Sequence, residues 1–205
     1  MNDKFYKLLG ATALSFFSVA AQAQDIKLGF NGDLSASPSA LSGQAAVLGS
    51  QAAIDDVNAA GGVLGQKLTL VIRDDLSQPP KSIQNMSDLI DNEQVVTVFG
   101  PTNSGNALAW KHIPNQKKIP VIGTVGSGTA ITYPVSAGAD NYMFRISMVD
   151  RDQVAGLMAY VKKDPAVKNV GYLSETTGYG QGGLKDMQEL GGLQGLKPAC
   201  NEKFG

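Results

Sequence analysis

A run of strand-forming residues followed by a segment of helical periodicity recurs four times along this chain of 205 residues, and that alternation constrains the fold more than any other feature. Residues 26–30 precede a Gly/Ser/Pro loop and then a helical stretch at 44–59. There Ala46, Leu48, Ala52, Ala53, Ile54 and Val57 form an apolar stripe, and Gly61-Gly62 supplies a C-terminal stop. Residues 67–72 alternate like a strand, and residues 79–92 carry Ile83, Met86, Leu89 and Ile90 at helical spacing. The unbroken β-branched and aromatic run at 95–99 reads as a strand buried on both faces, followed by a helix at 104–116 and a fourth strand at 120–124. Strands alternating with helices imply an α/β fold built from βαβ units, with a parallel sheet and right-handed crossovers. Ligands of such sheets sit beyond the carboxyl ends of the strands, where strand order reverses. The loops 31–42, 100–104 and 124–130, all rich in Gly, Ser and Thr, therefore converge on one edge.

The pattern changes after Thr132. Residues 133–140 read as irregular and 142–146 as a short extended run. Residues 150–163 read as a helix with Val154, Leu157, Met158 and Val161 on one face. A buried-type strand at 169–173 leads to a glycine-rich loop at 175–183, a helix from 184, and the start of another strand at 196–200. One βαβ pattern cannot bury both faces of a sheet, so a second lobe begun near Met148 is expected to be incomplete in this chain.

The N-terminus carries Lys4 and Lys7, a short apolar run at 8–20 and small residues in Ala21-Gln22-Ala23. That is the layout of a secretory signal peptide cleaved after Ala23, too short in its apolar run to span a bilayer. Losing Lys4, Lys7 and Asp3 with the leader moves the formal net charge only from −1 to about −2. No basic run suggests nucleic acid or an anionic membrane as partner; Lys117-Lys118 reads as a solvated helix end. Cys200 is the single cysteine, so no internal disulfide forms.

Two loops carry the chemistry. Gly100-Pro101-Thr102-Asn103-Ser104-Gly105 joins a buried strand to a helix, and its hydroxyls and free N–H groups suit an anionic group such as a carboxylate. The same groups serve an ordinary helix cap, and the two uses are compatible. Thr124-Val125-Gly126-Ser127-Gly128-Thr129 repeats this chemistry one strand over, without the Lys-Ser/Thr ending of a phosphate loop. Gly29 to Asp33 supplies no dinucleotide fingerprint. Tyr179, on a glycine-rich loop at the corresponding edge of the later unit, offers a flat apolar face and a hydroxyl to a cleft. Hydrolysis lacks a base: His112 is the one histidine and reads as a solvent-facing helix position. One His and one Cys exclude the usual zinc sets. Asp74-Asp75 reads as a solvated strand end or helix cap, with Arg73 as a local ion-pair partner.

With these residues assembled, the chain resembles the type I periplasmic substrate-binding proteins of the branched-chain amino acid ABC transporter family. The resemblance runs through the first strand and its loop, and through the Gly-x-x-x-Ala…Asp-x-Val-Asn-x-x-Gly-Gly pattern at 43–62. It continues through Leu64-Gly65-Gln66-Lys67-Leu68, Asp74-Asp75, Phe99-Gly100-Pro101, Pro120-Val121-Ile122-Gly123, Phe144-Arg145 and Glu175-Thr176-Thr177-Gly178-Tyr179-Gly180. It implies two doubly wound parallel-sheet lobes, here residues 24–147 and an incomplete 148–205, closing over a small ligand handed to a membrane permease. Neither a cofactor nor catalysis is implied, and the chain is expected to act as a monomer in the periplasm. The ligand carboxylate would fall to Ser104 with Asn103 nearby, further contacts to Val125, Ser127 and Thr129, the second-lobe tyrosine to Tyr179, and a first-loop contact to the stretch near Ser39–Ser42, assigned to Ser42. The resemblance also implies that the return segments of the first lobe, and the acidic residue that meets a ligand ammonium in the family, lie beyond this stretch. A ligand-sensing domain of the same fold, serving a signalling partner, is the alternative function.

Overall fold

The computed structural model describes residues 24–133, 141–167 and 169–205; the leader at 1–23 and nearly all of the irregular 133–140 stretch lie outside the described residues. Strands β1 (Ile26–Gly32), β2 (Leu68–Asp74), β3 (Thr97–Phe99), β4 (Val121–Gly123) and β5 (Met143–Arg145) run parallel in the order β2-β1-β3-β4-β5. The reversal of strand order falls between β1 and β3, where Leu28, Gly29 and Phe30 pair with Thr97, Val98 and Phe99. Helix α1 (Ala40–Ala59) covers one face over β1 and β2. Helices α2 (Pro79–Ser87) and α3 (Ser104–Trp110) cover the other, and α4 (His112–Lys117) follows α3. A smaller C-terminal unit comprises α5 (Asp150–Lys163), β6 (Val170–Glu175), α6 (Gly178–Leu193) and β7 (Pro198–Phe204), with β6 and β7 parallel. Among the described residues no helix is long and apolar enough to cross a membrane.

The principal core lies on the α2/α3 side, where Met86, Leu89, Val98, Trp110 and Val121 are sealed from solvent. Each large side chain buried there contributes on the order of 1.5–3 kcal/mol from removed apolar surface. The opposite face is only partly covered, because α1 is the one helix lying across it among the described residues. An apolar hollow of about 680 Å³ remains, lined by Leu28, Ile54, Phe99 and Ile122 among others. The expectation that residues 95–99 are buried on both faces therefore holds for Val95 and Val98 but fails for Val96, which is 51% exposed.

Other differences from the sequence reading have local causes. The helix expected over 104–116 breaks at Lys111, since Pro114 has no N–H to return to the Trp110 carbonyl. The second helix ends in a π turn over Asp88–Asn92. Helix α1 begins at Ala40 rather than at 44, and α6 begins at Gly178, so Tyr179 lies in the first turn of a helix and not on a loop.

Close backbone approach at the switch point depends on Gly100. Its φ is +126°, and a Cβ added there would lie 2.1 Å from the Asn31 carbonyl oxygen. Both facts oppose any side chain. Gly100→Ala is expected to lower the unfolding free energy by at least about 2 kcal/mol, read as a shift in the urea midpoint. An unshifted midpoint would show that β1 and β3 separate there at little cost.

Candidate functional site

The carboxyl ends of β1 to β4 and of β6 open onto one cleft of about 460 Å³ between the five-stranded sheet and the C-terminal unit. Ser37 and Ser39 come from the loop after β1, Ser77 from the loop after β2, Thr102 to Ser104 from β3, and Val125 to Ser127 from β4. Glu175, Thr177 and Tyr179 form the facing wall.

The β3 loop separates capping from presentation. The Asn103 side-chain oxygen accepts N–H groups from Gly105 and Asn106 at 2.8 and 3.4 Å, so the start of α3 is capped by its own residue. Ser104 is left for other work. Its Oγ, 3% exposed as a residue, accepts the Gly128 N–H at 3.0 Å, and its proton has no acceptor among the described residues. Thr102 behaves likewise: Oγ1 accepts the Asp33 N–H at 2.8 Å and its proton has no acceptor among the described residues. Each hydroxyl is oriented by an accepted bond and keeps one donor.

The neighbouring loop is held from below by Arg145, whose guanidinium donates to the carbonyls of Ser127 and Gly128, each at 2.9 Å. Ser147 Oγ donates to Gly126 O at 3.0 Å. These bonds aim Ser127 at the cleft and the Gly128 N–H at Ser104, a role for Arg145 that its position in a short hydrophobic strand does not announce. Across the cleft, Tyr179 is 44% exposed. Burial pushes its phenol up, and the carboxylates of Asp150 and Glu175 push in the same direction against the Ser127 hydroxyl. Glycine permits the two units to meet at the rim: a Cβ on Gly178 would lie 2.9 Å from Gly105 Cα.

A buried polar network supports the cleft floor. Asp75 is fully buried and accepts Ser82 Oγ–H at 2.8 Å, Asn106 Nδ2–H at 2.7 Å and Ser77 N–H at 2.9 Å. Trp110 Nε1 donates to Ser82 Oγ at 2.9 Å. Burial raises the Asp75 pKa, opposed by these donors and reinforced by Asp33. For Asp33 the balance is opposite: burial raises its pKa, but the Ser37 hydroxyl and the amides of Ala36 and Ser35 together bring it below the usual range. The reading of Asp74-Asp75 as a solvated strand end is thereby corrected for Asp75, while Asp74 ends β2 only partly buried. Arg73 also pairs elsewhere, with Asp88 at 2.9 Å and Glu93 at 2.7 Å, because β2 turns its side chain toward the end of α2.

Of the residues singled out from sequence, Asn103, Ser104, Val125, Ser127 and Tyr179 line this one cleft, and Ser42 and Thr129 do not. Ser42 lies in the first turn of α1 and borders the apolar hollow, since the early start of that helix leaves Ser37 and Ser39 to form the lip. Thr129 opens a 3₁₀ turn; its hydroxyl donates to Asp186 at 2.6 Å and accepts the Arg151 N–H at 3.0 Å, tying the two units together. Ser77 and Glu175 were not singled out, although Glu175 ends β6 and Ser77 lies in the loop after β2, and position at the carboxyl end of a strand is the signal that would have found them.

A solute cleft at the carboxyl ends of strands, walled by two α/β units, is the architecture of a binding protein. The chain belongs to the periplasmic binding protein family, whose model matches residues 25–203; it is a family of substrate-binding proteins and not of enzymes. It is 29% identical over 190 residues to a Leu/Ile/Val-binding protein of Citrobacter freundii, covering 92% of this chain and 50% of that one. Among solved structures it resembles a type 1 periplasmic binding protein from Bordetella pertussis, with a TM-score of 0.76 and 23% identity over 88% of this chain and 49% of that one. It also resembles the branched-chain amino acid transporter substrate-binding protein LivJ from Streptococcus pneumoniae in complex with isoleucine, at 26% identity and a TM-score of 0.71, again over 88% and 49%. The α/β fold with a parallel sheet is that of type I periplasmic binding proteins. The chain spans about half the length of the curated relatives it matches.

The Asp75 network has a pH signature. Because the folded-state pKa is raised, the neutral acid contributes stability that is fully present below the unfolded value of about 4 and is lost as pH rises through the folded value. Between pH 4 and neutrality, wild type is therefore expected to lose stability relative to Asp75→Asn in urea titrations. A difference that stays constant across that window would contradict the raised pKa.

Proposed function

We propose that this chain is the solute-binding component of an ABC uptake system, acting in the periplasm after export through residues 1–23. It takes an amino acid or related small carboxylate into the cleft and delivers it to permease subunits in the membrane. Residues 24–147 form the first lobe and 148–205 the portion of the second lobe present in this chain. The observation that carries the reading is the convergence of residues from both sides on one cleft, with the Ser104 hydroxyl proton lacking an acceptor among the described residues.

In this reading Ser104 donates to the ligand carboxylate, and Asn103 holds the start of α3 in register. Val125 and Ser127 contact the ligand from the neighbouring loop, and Tyr179 covers it from the second lobe. Closure follows because groups from both lobes are satisfied together only when the ligand bridges them. The relatives support the ligand class: their names specify leucine, isoleucine and valine, and the pneumococcal LivJ structure contains isoleucine.

The test is calorimetry of this chain against L-leucine, L-isoleucine and L-valine, with Ser104→Ala as the diagnostic variant. Wild type is expected to give a saturable heat, and the variant to bind more weakly by about 1–3 kcal/mol, the loss of one donor to a buried charged acceptor. Equal affinity in the variant would remove Ser104 from the site. No saturable heat with a wider set of small carboxylates would overturn the reading.

A further inference from the structure

We infer that Asp150 is a positioning residue of the cleft: its protonation state sets whether the Ser127 hydroxyl proton is offered to a bound anion or turned back into the protein. This rests on the cleft reading proposed above. Asp150 opens α5, is 5% exposed and does not itself line the cleft. Its backbone N–H donates to the Ser127 carbonyl at 3.0 Å, which holds the start of α5 against the loop that presents Ser127. Oδ1 accepts from the Gln153 side chain at 3.2 Å, whereas Oδ2 is buried without a hydrogen-bond partner among the described residues.

A buried acceptor of that kind is satisfied in one of two ways: the Ser127 hydroxyl turns to Oδ2, or Oδ2 carries a proton of its own. The Ser127 hydroxyl already acts on this carboxyl by favouring its charged form, and on its other side it acts on the Tyr179 phenol. The surroundings weigh the choice. Burial raises the Asp150 pKa, the Ser127 hydroxyl and Arg145 on β5 oppose that, and Asp186 on α6 reinforces it, leaving the carboxyl above its ordinary value. Arg145 has little more to give, since its terminal nitrogens are spent on the Ser127 and Gly128 carbonyls. Glu175 at the end of β6 and Tyr179 on α6 border the same cavity as Asp150 and bring no positive charge. Arg151, next along α5, is engaged by Asp186 and Glu189. Ionised, Asp150 only accepts, and it draws the Ser127 proton away from the cleft. Protonated, it leaves that proton to an anion and no longer repels one. Both effects have one sign: an anionic solute binds more tightly as pH falls through the Asp150 value, and binding takes up a proton.

The probe is 4-methyl-2-oxopentanoate, whose carboxylate stays ionised over the range tested and which carries no amine to answer Asp150 itself. In calorimetry with this chain it is expected to bind at least about threefold more tightly at about pH 5 than at about pH 7.5. Net proton uptake is read by repeating the titration in buffers of different ionisation enthalpy. Asp150→Asn is expected to abolish both the dependence and the uptake. A dependence that survives in Asp150→Asn overturns the inference and leaves the cleft reading standing. A second arm needs no solute. The Asp150 carboxyl carbon and the Tyr179 ring are followed by NMR over the same pH range and are expected to titrate together. Ser127→Ala is expected to move the Asp150 midpoint to higher pH, because the hydroxyl that favours the charged form is gone. A moved midpoint supports the inference even if no heat is seen, whereas an unmoved one overturns it. Matching far-UV circular dichroism of each variant and wild type shows that the substitutions have not altered the fold.

Discussion

The Asp75 carboxylate is the tie on which the cleft depends. It stands at the carboxyl end of β2 and accepts donors from α2 through Ser82, from α3 through Asn106 and from its own loop through Ser77. Ser82 also receives the Trp110 indole N–H, and the Ser82 carbonyl accepts the Asn31 side-chain amide at 2.9 Å. Asp75 and Ser82 together thereby connect two strand ends to two helices, and Asp75 reaches the helix that begins with Ser104 through Asn106. A carboxylate sealed among three donors is costly to bury and costly to misplace, since breaking any one bond leaves a polar group without water. Those constraints fix where α3 starts, and the position of Ser104 follows.

Ser104 is in turn linked to residues far along the chain. Its Oγ accepts from Gly128, the Gly128 carbonyl accepts from Arg145, and the Ser127 carbonyl accepts both from Arg145 and from the Asp150 N–H at 3.0 Å. Arg145 and Asp150 flank the connection between the five-stranded sheet and the C-terminal unit. The geometry of the donor wall and of that connection is therefore set by one set of hydrogen bonds. Movement of the connection cannot leave the loop at 126–128 untouched, a coupling that follows from bonding alone.

Much of the fold is legible because it depends on periodicity. The strands at 26–32, 68–74 and 97–99 and the helix at 150–163 follow from apolar spacing, and the parallel order follows from the alternation. What sequence reading loses is pairing at a distance. Asp75 looks like one of two exposed carboxylates until α3 brings Asn106 against it, 31 residues away in sequence. Thr129 looks equivalent to Ser127 by composition, yet its hydroxyl is taken by Asp186, 57 residues on. Ser42 misleads for a local reason: the loop closes into α1 at Ala40, two residues before it, and moves the lip of the cleft to Ser37 and Ser39. Composition could identify the loops that form the site, but not which hydroxyl in each loop was free.

That distinction bears on specificity. A hydroxyl already donating to the protein can only accept from a ligand, whereas one that accepts a backbone N–H keeps a donor to offer. Ser104 and Thr102 are of the second kind; Ser37 and Ser39 share the Asp33 carboxylate and are of the first. The lip formed by Ser37 and Ser39 is thus rich in oxygen yet poor in free donors, and the donors concentrate at the end of β3. With the single formal charge of the lining on the facing wall at Glu175, the cleft has a polarity that its near-neutral composition conceals. A neutral chain can therefore hold an oriented field across a small cleft, because orientation depends on which protons are already committed and not on net charge.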